Sequence, residues 1–228
     1  MRIKIFQINS DKDTEGLKFF DLPETGAPSD IYKKVYHGDV DCEDLEDVYR
    51  LFNLNRPPTF QGHSLSVSDV VEVCNENENE KLHNGFYYVK SIGFGECNFD
   101  PSKAEDMSGM RVVYKTPRNT PLDIRILDDL DSLQNAVGGL IEPIYSEPEG
   151  IVLVGNEEAK LIGMKGNIRI GNGSSIIAGP FFVCGDNGEE FVSLTDEQVK
   201  TYMDKYAEPE IISDEEVQND TGFKIHFF

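Results

Sequence analysis

The run QGHSLSVSDVV, residues 61–71, holds within seven positions every side-chain type of a serine-hydrolase relay: His63, Ser64, Ser66, Ser68 and Asp69. A relay needs nucleophile, base and orienting acid to converge at about 3 Å from separate parts of the chain. Neighbours on an extended chain point to opposite faces, so His63 and Ser64 diverge. The run also lacks the G-x-S-x-G elbow that projects a nucleophile from a strand-to-helix turn. Ser66-Val67-Ser68-Asp69 supplies turn chemistry instead, short oxygen side chains that bond nearby backbone amides just ahead of the β-branched run Val70–Val73. The stretch therefore reads as a turn that launches a strand, with a hydrolase-like site on His63, Ser64 and Asp69 as the alternative.

Working outward, RIKIFQI at residues 2–8 has strand periodicity, with Ile3, Ile5 and Gln7 on one face and Arg2, Lys4 and Phe6 on the other. SDIYKKVYHG offers Ser29 as a helix N-cap, Ile31 and Val35 four apart, and Gly38 as a stop, which predicts a short helix. DCEDLEDVYRLFN predicts a second, with Asp41 as cap, acids in the first turn and a Leu45, Val48, Phe52 stripe, ended by Pro57-Pro58. Val70–Val73 and Phe86–Lys90 read as a hairpin whose long polar loop carries Glu76, Glu78 and Glu80. Residues 99–108, rich in Pro, Ser and Asp and followed by Gly109, read as a linker.

Beyond it, MRVVYKT reads as a strand and DDLDSLQNAVGG as a helix closed by Gly138. LIEPIY, GIVLVG and AKLIGM read as strands, and GPFFVCGDNGEEFVSL as a hairpin around Asp186-Asn187-Gly188. Thr195 and Gln198 spell a capping box for a helix through Tyr206. An acidic tail, residues 207–228, ends in an alternating run from Phe223 to Phe227 that is expected to dock as a strand. The fold class that follows is α+β: two small domains, 1–98 and 109–206, each a mainly antiparallel sheet with one or two helices.

Composition bounds the function. The chain of 228 residues has 39% hydrophobic content with 14 Phe and 9 Tyr, which marks a folding sequence, and no run long enough to span a membrane. Met1-Arg2-Ile3-Lys4 opens as a strand rather than a leader, so a cytoplasmic location is expected, with Cys42, Cys74, Cys97 and Cys184 reduced. With 42 acids against 21 bases, the net charge is −21. That opposes direct contact with nucleic acid; an acidic surface serves solubility first, and otherwise attracts a basic protein partner or imitates the phosphate array of DNA. The excess runs through both halves and the tail. No metal or cofactor is expected: His37, His63, His83 and His226 lack ligand spacing, and Gly171-Asn172-Gly173-Ser174-Ser175-Ile176 lacks the third glycine and following helix of a phosphate cradle. Asn156, Glu157 and Lys160 read as a polar turn or as the lining of a small pocket.

Two resemblances stand on particular residues. Tyr36-His37-Gly38, Leu45–Tyr49, Phe52-Asn53, Pro57, Tyr87-Tyr88-Val89, Gly93-Phe94 and above all Gly62–Val71 resemble the YodL-like domain family over residues 2–97. Leu133-Gln134, Val137-Gly138-Gly139, Ile141-Glu142, Asn156–Leu161, Gly179 and Glu190–Thr195 resemble domain-of-unknown-function family 3846 over residues 109–206. The chain departs from that family's pattern at Thr116-Pro117-Arg118 and at Met164–Arg169. These resemblances imply modules of conjugative elements and phages of gut Firmicutes, and with them counter-defence against host restriction, for which the acidic excess offers DNA mimicry as a means. They imply no catalytic residue, so His63, Ser64, Ser66, Ser68, Asp69, Asn156, Glu157 and Lys160 stand as signature or interaction residues.

Overall fold

The computed structural model describes residues 1–23, 28–75 and 82–220. The chain separates into two compact units, Met1–Met107 and Ser108–Phe228. Each is built on an antiparallel sheet with helices added, an α+β organisation.

In the first unit, β1 (Arg2–Ile8), β2 (Tyr32–Asp39), α1 (Leu45–Leu54), β3 (Val70–Val73), β4 (Gly85–Val89) and β5 (Phe94–Glu96) form a sheet of order β2-β1-β3-β4-β5. All its pairings are antiparallel. Alternation along β1 sends Ile3 and Ile5 into the core that α1 completes, and Phe6 and Ile8 into a second core on the opposite face. The helix forms because Asp44 accepts from the Asp47 amide, acids occupy its first turn, and Leu45, Val48 and Phe52 share one buried stripe. Burying Phe52 completely is worth about 1.5–3 kcal/mol. The cap is Asp44 rather than the expected Asp41.

The helix expected from Ser29 is a correction. Only Ser29–Ile31 makes a single 3-10 turn, and Tyr32–Asp39 is β2. Its pairing passes from Ile5↔Tyr36 to Phe6↔Lys34, so Val35 is a bulged residue. The bulge turns both Val35 and Tyr36 into the core beneath α1 and erases the alternation by which a strand is recognised. The linker expected at 99–108 is a second correction. Phe99 packs against Phe6, Tyr32 and Phe86 at ring separations of 4.8, 5.1 and 5.5 Å. Glu105 also bonds β2 through its backbone, accepting from the Lys34 amide at 2.8 Å and donating to Tyr32 O at 2.9 Å. Of the loop between β3 and β4, Glu76, Glu78 and Glu80 lie outside the described residues.

The second unit contains β6 (Met110–Lys115), β7 (Leu122–Ile126), α2 (Leu130–Val137), β8 (Ile141–Ile144), β9 (Ile151–Asn156), β10 (Gly166–Ile170), β11 (Ser175–Ala178), β12 (Phe181–Asp186), β13 (Phe191–Val192), α3 (Asp196–Lys205) and α4 (Asp214–Asn219). The main sheet runs β7-β6-β12-β9-β8 with β13 beside β12, and β10-β11 is a separate hairpin. One face is covered by Leu133, Ala136 and Val137 of α2. The other is covered by Ile168 and Ile177 of the hairpin and by Val199 and Tyr202 of α3. Burial on both faces explains why IVLV at 151–154 and FFVC at 181–184 are continuous apolar runs rather than alternating ones.

Three sequence expectations change here. AKLIGM, residues 159–164, is a series of turns with Leu161 and Ile162 exposed, and the strand follows it as β10. The strands β7, β10 and β11 were not foreseen. The acidic tail is not featureless over 207–220: Ser213 and Glu216 form a capping box for α4, whose Val217 packs with Ile212 on Ile176 and Ala178 of the hairpin. Residues 223–227, expected as a docked strand, lie outside the described residues. Among the described residues, no helix is long and apolar enough to cross a membrane.

Candidate functional site

The opening run is a bend and a turn that deliver the chain from α1 to β3. Asp69 donates its amide to Ser66 O at 3.1 Å, closing a turn, while its carboxylate Oδ2 accepts from the Ser66 amide at 2.8 Å. Ser68 sits inside that turn at φ +75°. There its hydroxyl accepts from the Phe19 amide at 3.0 Å and its carbonyl accepts from the Tyr32 hydroxyl at 2.9 Å. A serine tolerates this left-handed backbone because these bonds offset a strain of roughly 1 kcal/mol.

Gln7 is the hub. It lies on the face of β1 that otherwise carries Ile3 and Ile5, and it is buried. Its two amide hydrogens go to His63 O and Asp69 Oδ2, both at 2.9 Å, and its oxygen accepts from the His63 amide at 3.0 Å. Gly62 has no side chain because a Cβ there would collide with the Gln7 carbonyl oxygen and lie 2.9 Å from Phe60. Leu65, between the polar residues, is buried in the core under α1.

The hydrolase-like relay is not assembled. His63 Nδ1 lies 2.7 Å from Ser64 O, and since a carbonyl only accepts, the proton sits on Nδ1 and points at the backbone. Asp69 Oδ2 is 3.9 Å from that nitrogen. The Ser64 hydroxyl accepts from the Arg56 guanidinium at 2.7 Å, and the Ser66 hydroxyl donates to Ser64 O at 2.9 Å. Asp69 is buried, which raises its carboxyl to about 8 against the opposing hydrogen bonds from Ser66 and Gln7. Burial also lowers His63 below the usual imidazole range. Near neutral pH both side chains are therefore held uncharged. Asp69 Oδ1 and His63 Nε2 are buried without a partner among the described residues.

The second set of residues converges. Asn156, Glu157 and Lys160 line a cleft of about 400 Å³ with Glu142, Ile144 and Asp220. Asn156 is spent on structure: its amide donates to Gly138 O at 2.9 Å and its oxygen accepts from the Glu158 amide at 2.8 Å, joining the end of α2 to the turn after β9. Lys160 is paired with Asp220 at 2.7 Å. Asp220 also accepts from the Ile176 amide at 2.7 Å and the Ser175 hydroxyl at 3.1 Å. Burial pushes the Asp220 carboxyl up, but Lys160, Ile176 and Ser175 together hold it below its ordinary value. Glu157 projects outward with no side-chain partner among the described residues.

Sequence reasoning missed Gln7, Asp220 and Lys115. Gln7 carried a signal, a polar residue at an apolar position of an alternating strand. Asp220 carried none, since its partners lie 44 to 60 positions away. Lys115 ends β6 fully buried, with its ammonium donating to Asn119 O at 2.6 Å and burial lowering its pKa. Nearby, Asn167 donates to Lys115 O and Gly179 O at 3.0 and 2.8 Å. Among the described residues no group of three His, Cys, Asp or Glu is arranged to hold a metal ion.

Comparisons with known proteins reach both units. Residues 2–99 match the YodL-like domain, and residues 110–207 match a domain of unknown function, DUF3846. No curated protein and no solved structure matches the chain. The Gln7 hub and the turn it braces fall within the first match and the cleft walls of β8, β9 and β11 within the second, so the chain joins a region similar to the YodL-like domain to a region similar to DUF3846.

Proposed function

We propose that this chain is a non-enzymatic accessory protein of a bacterial mobile element or phage that binds a protein partner through its acidic surface. The observation that supports this reading is the disposition of charge. Cations of both units are engaged in ion pairs: Arg2 with Asp39, Lys4 with Glu72, Lys34 with Asp106, Arg111 with Asp123 and Asp196, Lys165 with Asp214, Arg169 with Glu210 and Glu216, and Lys205 with Glu147. Beyond these pairs carboxylates remain in excess, on a chain whose net charge is −21. Such a surface raises the association rate with a basic partner and repels nucleic acid.

The sharper form of the reading is counter-defence, with carboxylates standing in for DNA phosphates in the binding channel of a restriction enzyme. Titration of purified protein against a panel of restriction enzymes tests it. Inhibition that weakens steeply between about 50 and 200 mM salt is the expected outcome, since the contacts are charge pairs. Undiminished cleavage at large molar excess removes the restriction-enzyme version. A salt-sensitive partner recovered from a bacterial lysate would still uphold the broader one, and recovery of nothing above background would defeat it.

A further inference from the structure

The cleft of the second unit has walls of one kind and a rim of another. Ile144, Ile170 and Ile177 supply apolar surface from β8, β10 and β11, while Glu142 and Glu157 stand at the polar edge. Gly155 lies on the floor between Ile144 and Ile177, where even a Cβ would be in ordinary contact, 3.7 Å from both. The cation of the cleft, Lys160, is already taken by Asp220. Glu142 and Glu157 have no side-chain partner among the described residues and face solvent. Glu142 and Ile144 are two apart on β8, so they lie on the same face of the sheet. At about 400 Å³ the cleft is of a size to take two or three side chains rather than a large cofactor.

We propose that this cleft receives a basic, apolar segment of a partner protein, with a lysine or arginine head on Glu142 and Glu157 and a neighbouring aliphatic side chain against Ile144, Ile170 and Ile177. Charge complementarity selects this occupant: an acidic segment would meet two unneutralised carboxylates. A purely apolar one would desolvate them without compensation. The inference rests on the partner-binding reading above and names the point of contact within it.

The test uses the full chain with labelled isoleucine methyl groups, titrated with a ten-residue peptide of alternating lysine and leucine. A glutamate–leucine peptide of the same length is the control. The expected result is shifts concentrated at Ile144, Ile170, Ile176 and Ile177 with the basic peptide and none with the acidic one. In the E142Q/E157Q variant, whose methyl spectrum reports its fold, affinity falls at least tenfold. Because that variant removes only two of 42 acids, a loss of this size is specific to the cleft rather than to net charge. Methyl groups unmoved at millimolar peptide, or equal affinity in the variant, overturn the proposal. Shifts that appear only after residues 221–228 are deleted overturn it too, because the chain's own segment would then be the occupant. A lysate partner whose binding survives E142Q/E157Q sinks the cleft alone and leaves the acidic-surface reading standing.

Discussion

Residues 62–69 show how a set of reactive side chains becomes architecture. Gly62 clears space for Gln7, His63 presents its backbone to Gln7, Leu65 enters the core, and Ser66, Ser68 and Asp69 close the turn. Gly62→Ala puts a methyl group into the Gln7 amide and Phe60, and overpacking of this kind costs about 1–3 kcal/mol. A lowered denaturation midpoint with an unchanged denaturant slope is the expected readout. Asp69 supplies the pH dependence. Its folded pKa of about 8 stands above its ordinary 3.8, so between those values the folded chain keeps a proton that the unfolded chain has lost. The stability this contributes is fully present below pH 3.8 and is lost progressively as pH rises through about 8. His63, lowered by burial, acts in the opposite sense below pH 6.5. Asp69→Asn retains a neutral side chain with an acceptor oxygen and is expected to flatten the decline between pH 6 and 8; thermal melts of both proteins across that range decide it.

At the scale of elements, the segment after β5 and helix α3 give the most direct tests. If residues 99–108 were a linker, truncating Phe99 would change stability by no more than about 0.5 kcal/mol. Packed among Phe6, Tyr32 and Phe86, Phe99→Ala is instead expected to cost about 2–3 kcal/mol, measured by urea unfolding. The capping box of α3 pairs the Thr195 amide with Gln198 Oε1 at 2.9 Å and the Gln198 amide with Thr195 Oγ1 at 3.3 Å. Thr195→Ala leaves the Gln198 amide without its acceptor and costs about 1 kcal/mol. Hydrogen exchange should quicken first at the N-terminal turn of α3, while β6, on which the helix packs, keeps its protection.

Over the whole molecule, charge dominates. With a net charge of −21, mutual repulsion among carboxylates opposes compaction, and screening it stabilises the fold even though individual ion pairs weaken. The melting temperature is therefore expected to rise between 20 and about 300 mM sodium chloride, where the Debye length falls below about 10 Å. A melting temperature that falls over this range would mean that the paired cations, not the unpaired anions, control stability.

Elements whose own residues bury a single stripe or contain a local cap were legible: α1 from Leu45, Val48 and Phe52, α2 from its apolar spacing and Gly138, α3 from Thr195 and Gln198, and β3 from the β-branched run after Asp69. These signals lie within one or two turns of chain, where local hydrogen bonding and side-chain periodicity act without help. The charge excess and the family signatures are equally local in origin. Strand β2 was hidden because a bulge, a property of its pairing with β1, broke its alternation. The role of Phe99 was hidden because its partners come from three separate strands. The same holds at the sites. Asp69 looked like an acid awaiting a base until Gln7, 62 positions earlier, claimed its oxygen. Lys160 looked available until Asp220, 60 positions later, neutralised it. The sequence by itself determined the local grammar and the surplus of negative charge, because those depend on neighbours along the chain. Which polar groups are consumed in structure and which, like Glu142 and Glu157, face solvent was decided only by tertiary packing, because it depends on residues that meet only after the chain has folded.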